Sequence, residues 1–422
     1  MEFPQRLSVE TTTRCNLSCK FCPKQSQNYK LPEMDMDFET FKKLKQVLPH
    51  IKSIVLNGIS EPLLHPQLEE FLAFSKENTK RDASIGFQTN GVFLSEKRME
   101  QLVKAGLNRI CVSIDCVVPI NGFHIPEFSK RALEVVYKAK KDGAKIESGV
   151  EIVITKENLD QVIPTIIESS KYEIDFVILS HLIPYSPEAT KNVVYETNNK
   201  EAVQIFKKWY SKLVKKGYTV DDWIDQIKKK ALPEYYPVGN EALQLYISMY
   251  DEANKKGKTI NLKNTLSRDE NLLAQVEKIL KDIRELKKKL NIDIKIPRIN
   301  PKPKRTCEFI EKKEMYIGVD GEVSPCYFLW HSYTVYIAGF KKNIKRWSFG
   351  NIKEKDPVEI YNLPEYRRFR ESVIEYDFPY CYDCNFALCD LMELENFIGD
   401  CYTNSIPCGS CLWCGGLFNC ML

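Results

Sequence analysis

Three cysteines near the start of this 422-residue chain, Cys15, Cys19 and Cys22, have the spacing that most clearly encodes chemistry. They stand in Arg14-Cys15-Asn-Leu-Ser-Cys19-Lys-Phe-Cys22, directly after a strand pattern over residues 6–10. Three thiolates at Cys-x3-Cys-x2-Cys spacing can hold three irons of a cubane from one tight loop and leave the fourth iron open. Structural zinc wants four ligands, and no fourth lies nearby. A second group is C-terminal, since ten of the fifteen cysteines follow Arg305. Cys307, Gly321 and Cys326 take the form Cys-x13-Gly-x4-Cys. Cys381, Cys384, Cys389, Cys401, Cys408, Cys411, Cys414 and Cys420 come after them. Ten thiols are two more than two 4Fe–4S clusters need, and a zinc or rubredoxin-like iron site stays open for part of the set.

A cluster loop works when a strand end carries it to a cavity. Residues 6–10, 53–57, 83–89, 108–114, 146–154 and 175–179 are short runs rich in Ile, Val and Leu, as strands buried on both faces are. Amphipathic helices alternate with them. Residues 38–48 put Phe38, Phe41, Leu44 and Leu48 on one side, with Asp37 as N-cap and Pro49 as stop. Six βα units predict an α/β fold over residues 1–180, an incomplete (β/α)6 TIM-like barrel with its helices outside. Residues 181–299 read as a mainly helical insertion. Its last helix, 268–290, carries Val276, Ile279, Leu280, Ile283, Leu286 and Leu290 on one stripe, expected to pack on the barrel, with a substrate-specific wall or lid as the functional alternative. The proline-rich stretch 296–303 marks a boundary, and residues 300–422 form a Cys-rich C-terminal unit.

Composition narrows the partners. Lys+Arg 61 against Asp+Glu 57 leaves +4, too little to argue for nucleic acid. The longest apolar run, about residues 110–120, is broken by Asp115 and Pro119 and is too short to span a bilayer. Residues 1–6 carry no signal-peptide pattern, so a cytoplasmic enzyme is expected. Disulfides are disfavoured in a reducing cytosol, which turns the cysteine count toward metal.

The Cys-x3-Cys-x2-Cys loop after strand one resembles the radical S-adenosylmethionine superfamily, and the likeness continues along the chain. Asn57-Gly58-Ile59-Ser60-Glu61-Pro62 is similar to its Gly-Gly-Glu-Pro element, with Ile59-Ser60 standing before Glu61 in place of a second glycine. That resemblance implies that the backbone at Gly58 and the Glu61 carboxylate receive the methionine amino group. Gln88-Thr89-Asn90-Gly91 and Val112-Ser113-Ile114-Asp115 are similar to the nucleoside-contacting strand ends, which implies cofactor roles for Asn90, Ser113 and Asp115. The implied chemistry is cleavage of S-adenosylmethionine at a 4Fe–4S cluster on Cys15, Cys19 and Cys22. The product is a 5′-deoxyadenosyl radical that takes hydrogen from a bulky substrate, with ferredoxin or flavodoxin as electron donor.

The C-terminal unit resembles the SPASM extension, an auxiliary-cluster domain. This implies two auxiliary 4Fe–4S clusters on a set drawn from Cys307, Cys326, Cys381, Cys384, Cys389, Cys401, Cys408, Cys411 and Cys420. Cys389 comes one residue early for the usual Cys-x2-Cys-x5-Cys-x3-Cys order, so ligands are not paired to clusters. Asp320-Gly-Glu-Val-Ser-Pro-Cys326, Phe349-Gly-Asn-Ile, Pro364-Glu-Tyr-Arg-Arg-Phe-Arg, Asp400-Cys401 and Cys408-Gly-Ser-Cys411-Leu-Trp together resemble the radical enzymes associated with tungsten-containing aldehyde ferredoxin oxidoreductases. Cys408, Cys411 and Cys420 belong to these blocks, which leaves Cys414 as the first candidate for a spare thiol. The resemblance implies maturation or modification of a tungsten–pterin cofactor, with the oxidoreductase or its pterin as partner. The rivals are cross-linking of sp3 carbons in a ribosomal peptide or an archaeal tetraether lipid, and, from another class, a non-catalytic iron–sulfur electron carrier or scaffold. A lipid should show as an apolar tunnel lined by the helices of residues 200–290. A pterin should show as a basic pocket for phosphate near the barrel mouth. Cys111 and Cys116 read as small buried residues, and His50 and His65 as solvated or capping. His181 and His331 are the candidates for proton transfer.

Overall fold

The computed structural model describes residues 1–223, 241–258, 260, 262–266, 268–302, 304–337, 340–375 and 406–420. Six strands build the first part of the sheet: β1 (Arg6–Val9), β2 (Ser53–Val55), β3 (Ser84–Thr89), β4 (Arg109–Ser113), β5 (Glu147–Ile154) and β6 (Phe176–His181). Each pairs in parallel with the next. β6, Phe-Val-Ile-Leu-Ser-His, is buried throughout, as expected where helices cover one face and a filled lumen the other. The helices between strands start where the sequence offers a cap. Asp37 accepts from Thr40 N at 2.7 Å to open α1 (Phe38–Lys42), and Ser95 accepts from Arg98 N to open a later helix, Glu96–Ala105. The expected helix over 38–48 is shorter than its hydrophobic stripe, because two 3-10 turns, Lys43–Gln46 and Leu48–His50, replace its second half around Pro49.

The sheet does not stop at six strands. β7 (Asp293–Lys295) adds in parallel to β6, and β8 (Glu314–Ile317) adds in parallel to β1, with Ser8 opposite Tyr316. β9 (Val323–Ser324) closes the far edge antiparallel to β8, giving the order β7-β6-β5-β4-β3-β2-β1-β8-β9. The arc is an open, mostly parallel α/β sheet, and segments from both later parts of the chain extend it. One core cluster accordingly runs from Leu7 to Phe418.

The helical stretch divides in two. Lys200–Lys215 and Glu241–Lys255 pack on each other around Phe206, Leu213, Trp223 and Met249 and make a separate core. The helix Glu270–Leu290 instead buries Val276, Leu280 and Ile283 completely in the main core. At roughly 1.5–3 kcal/mol per buried aliphatic side chain, those three contribute on the order of 5–9 kcal/mol as an upper bound, enough to account for the stripe as packing. No helix among the described residues is long and apolar enough to cross a membrane.

Candidate functional site

The C-terminal strand ends open into one cavity enclosing about 1490 Å³ including its mouth.

Cys15, Cys19 and Cys22 form one corner of it, partly buried. The loop is held by Arg14, whose guanidinium grips Asp35 bidentately and donates to Leu64 O at 2.7 Å. Burial pushes the Cys22 thiol up to about 11 and raises Cys15, against amide donors from Lys24 and Leu17 that work the other way. A metal displaces those protons, and the amides are then in place for the thiolates. Among the described residues no three His, Cys, Asp or Glu side chains converge closely enough for a single metal ion. Three mutually interacting sulfurs from one loop fit an iron–sulfur cube held at three corners.

Glu61 faces the same corner from the loop after β2 and is 1% exposed. Its Oε1 accepts from Thr89 Oγ1 at 2.7 Å and Leu63 N at 3.1 Å, and its Oε2 from Asn90 N at 2.7 Å. Burial raises its pKa against those three bonds. Gly58 has no alternative residue here, for a Cβ would sit 2.4 Å from Glu10 Cγ. The buried Glu10 in turn accepts from Ile59 N and lies 3.0 Å from His331 Nε2. His331 therefore sits outside the cavity, holding the carboxylate that supports this loop, rather than in a place to transfer protons to a ligand.

Asn90, Ser113 and Asp115 all line the cavity. Asn90 Nδ2 donates to Asn16 Oδ1 in the cysteine loop, and Ser113 Oγ accepts from Gln88. Asp115 accepts from Val153 N at 2.9 Å and pairs with His124 Nδ1 at 2.6 Å. The imidazole also hydrogen-bonds Cys19. Burial opposes its charging, yet Asp115 and Cys19 hold its pKa well above the usual value. The turn before it docks on the cysteine loop through Lys20 N to Gly122 O and the Phe21–Phe123 edge contact. Nothing in the sequence singled out His124, because its partners come from two other loops.

Deeper in, Ser113 faces Glu151 across the β4–β5 pairing, and Glu151 lines the lumen. Burial pushes its carboxyl up to about 7, with Gln88 as the hydrogen-bond partner opposing the shift. Opposite stand Tyr185, Tyr316, Tyr327, Trp413 and Phe418. His181 lines the cavity, contacts Arg298 O through Nε2 at 2.9 Å and has no partner at Nδ1; burial lowers its pKa to about 4. The imidazole is neutral there, with Nδ1 an acceptor. No lysine or arginine lines the cavity among the described residues, so the basic phosphate pocket expected of a pterin site is not what the lumen offers. Nor does any residue of 200–290 line it, so the apolar tunnel expected of a lipid enzyme is not built from those helices.

The C-terminal cysteines separate. Cys414 hydrogen-bonds Cys307 and Cys411, and Cys326 and Cys408 lie within electrostatic reach of the group. Those two thiol partners, with Arg305 and Lys302 nearby, hold Cys414 well below the usual thiol range while Cys307 and Cys411 are raised. The thiol set aside as a spare is thus at the middle of this group. Cys420 lines the barrel cavity instead, its sulfur 3.0 Å from Trp413 Nε1. Gly321, at φ +90, makes the turn that leads to Cys326, and a Cβ there would meet Asn351 Oδ1 at 2.6 Å. Cys381, Cys384, Cys389 and Cys401 lie outside the described residues. Cys111 and Cys116 are buried; His65 is fixed by Met36 O and Gln67 N, and His50 stacks on Phe3.

Residues 9–168 match the radical SAM superfamily, and residues 307–385 match an iron–sulfur cluster-binding domain, SPASM. Over 418 residues the chain is 28% identical to the tungsten-containing aldehyde ferredoxin oxidoreductase cofactor-modifying protein of Pyrococcus furiosus, covering 96% of this chain and 94% of that protein. It is 33% identical over 166 residues to GTP 3′,8-cyclase of Aquifex aeolicus, 37% of this chain and 50% of that protein. Among solved structures, Streptococcus suis SuiB bound to its precursor peptide SuiA aligns over 96% of this chain and 76% of that one, at 14% identity and a TM-score of 0.47.

Proposed function

Because the chain is a radical S-adenosylmethionine enzyme with a SPASM domain, we propose that it modifies or matures the tungsten–pterin cofactor of an aldehyde ferredoxin oxidoreductase. The observation that carries this reading is the end-to-end likeness to the cofactor-modifying protein, which spans core, helical stretch and C-terminal unit alike. A 4Fe–4S cluster with S-adenosylmethionine supplies a 5′-deoxyadenosyl radical, which can take hydrogen from an unactivated C–H bond.

The chain's own residues do the rest. Cys15, Cys19 and Cys22 hold the cluster, with Arg14 fixing the loop that carries them. Glu61 receives the ammonium of S-adenosylmethionine beside the Gly58 backbone, and Asn90, Ser113 and Asp115 position the nucleoside. The aromatic wall excludes water from the lumen and confines the reacting carbon near the cofactor. Cys307, Cys326, Cys408, Cys411 and Cys414 supply ligands to an auxiliary cluster. Cys381, Cys384, Cys389, Cys401 and Cys420 remain for the other. Ferredoxin or flavodoxin delivers electrons, in the cytoplasm.

The test is 5′-deoxyadenosine formation by anaerobically reconstituted enzyme with dithionite. Tungsten cofactor released from a purified oxidoreductase should raise it well above the uncoupled rate. A ribosomal precursor peptide or a tetraether lipid should not. Stimulation by peptide or lipid, and none by the tungsten cofactor, refutes the reading.

A further inference from the structure

More acids than bases line the cavity. Glu61, Asp115 and Glu151 are carboxylates, and His181 presents a buried Nδ1 without a partner. No cationic lysine or arginine lines the space among the described residues. Among the described residues His124 is the cationic side chain of the lining, and it is already held by Asp115 and Cys19, so the three carboxylates disfavour an anionic guest and favour one that donates hydrogen bonds.

The acceptors are layered. Asp115 and Val153 stand at the strand ends beside the cysteine loop, tied to each other and to His124. Glu151 lies one inward-facing position deeper, opposite Ser113, above an apolar floor of Val55, Cys111, Phe176 and Ile178. Cys420 and Tyr327, on the C-terminal side of the lumen, are within its electrostatic reach. Glu151 thus belongs to the deep half of the cavity, which the cofactor at the cysteine loop leaves open. Trp413 and Tyr327 pack tilted with ring centroids 5.7 Å apart and Tyr316 and Tyr327 edge to face at 6.1 Å, an angled aromatic wall that also lines the cavity.

We infer that the substrate enters ring-first: Glu151 reads the donor edge of a flat, amino-bearing heterocycle laid against Tyr316, Tyr327 and Trp413, and any phosphate stays outside. The inference rests on the tungsten–pterin reading above, because a pterin has such an edge, an exocyclic amino group beside a ring N–H. A carboxylate takes those two donors in a bidentate pair, and an aromatic wall takes the ring face. It also removes the conflict between a phosphate-bearing substrate and a lumen that no described lysine or arginine lines. A carboxylate whose burial is poorly compensated gains most from two incoming donors.

The experiment is a fluorescence titration of 6-hydroxymethylpterin into holoenzyme saturated with S-adenosylmethionine, repeated with the same ring carrying a phosphate ester. Wild type should bind the pterin. Glu151→Gln should weaken it roughly 10- to 150-fold, the loss of hydrogen bonds to a charged group, and the ester should change affinity by no more than about twofold. Glu151→Asp, which keeps the charge on a shorter arm, should fall between. S-adenosylmethionine affinity, measured in parallel, reports that each variant has a folded site. No pterin binding by wild type, equal binding by Glu151→Gln, or more than about tenfold tighter binding of the ester overturns the inference. The deoxyadenosine assay with tungsten cofactor is independent: a positive result there alongside failure here leaves the function standing and removes only the ring-first orientation.

Discussion

Glu61→Gln separates a carboxylate that binds ligand from one that merely holds a loop. Three donors converge on the native side chain, two on Oε1 and one on Oε2. An amide has one acceptor. If its oxygen keeps Thr89 and Leu63, its NH₂ faces Asn90 N–H, donor against donor. Hydrogen bonds to charged groups are worth about 1.5–3 kcal/mol and neutral ones about 0.5–1.5 kcal/mol. Losing the Asn90 bond and weakening two others costs the loop on the order of 3–5 kcal/mol, and relief from burying a charge returns about a third to a half of that. That cost falls on the loop; the ligand itself loses one charge-assisted hydrogen bond to its ammonium, about 1.5–3 kcal/mol, which corresponds to roughly 10- to 150-fold weaker S-adenosylmethionine binding. Calorimetric titration of anaerobically reconstituted protein measures it, with iron content as the control for an intact cluster. Thr89→Val removes one internal donor and leaves the charge, so its loss should be several-fold smaller. Unchanged affinity in Glu61→Gln, or an equal loss in Thr89→Val, refutes direct ammonium recognition.

Replacing Cys15, Cys19 and Cys22 together by Ala should abolish 5′-deoxyadenosine formation while the C-terminal iron persists; residual formation would end the cluster assignment. Cys414→Ala should remove roughly four irons, one cubane, and unchanged iron and sulfide would return Cys414 to the role of a spare. His124→Ala should move the midpoint potential of the S-adenosylmethionine-responsive cluster to more negative values, because a hydrogen bond to a ligand sulfur favours the reduced state, and His124→Gln should restore part of it; identical potentials by EPR titration would show that His124 only packs. Burial pushes Glu151 and Glu314 up to about 7 from an ordinary 4.5. The native state therefore keeps those protons longer, and the stability they contribute is present below about pH 4.5 and lost as pH rises through 7, up to about 3 kcal/mol each. Glu314→Gln, which keeps the bond from Ser8, should melt higher than wild type at pH 8 as apo-protein; an unchanged difference between pH 5 and pH 8 would contradict this.

What the sequence disclosed follows from how local the signals are. β1 to β6 were readable because each is a short segment carrying Ile, Val, Leu or Phe between turn residues, and the cysteine loop because its ligands sit within eight residues of one another. β7 and β8, three and four residues long, carry too little pattern to stand out, and only pairing with β6 and β1 makes them strands. Glu61, Asn90, Ser113 and Asp115 were reachable because each lies at or just beyond a strand end. His124, Glu151 and the grouping of Cys414 with Cys307 were not, for each depends on contacts between distant segments. The stripe on Glu270–Leu290 shows the reverse case: periodicity marked it, and burial against the main core accounts for it without any lid.

The C-terminal segment supplies a wall of the cavity on which substrate choice would rest. The helical stretch was the natural place to look for it, being the least patterned part of the chain. Yet the far wall of the lumen is made by Tyr316 on β8, Tyr327 next to Cys326, and Trp413 next to Cys414. Two aromatic residues of the wall are therefore chain neighbours of the cysteines that gather in the C-terminal group. Ligation at Cys326 and Cys414 would fix the backbone that aims Tyr327 and Trp413, so cluster assembly and the shape of the substrate wall become one event. Glu10 makes a similar link outside the cavity, joining Ile59 of the Glu61 loop to His331 of the C-terminal unit. A cavity lined by residues from 8–185 and again from 316–420 needs both parts of the chain to form. Loss of the auxiliary iron should then disorder the wall and weaken substrate binding while S-adenosylmethionine still binds at the cysteine loop.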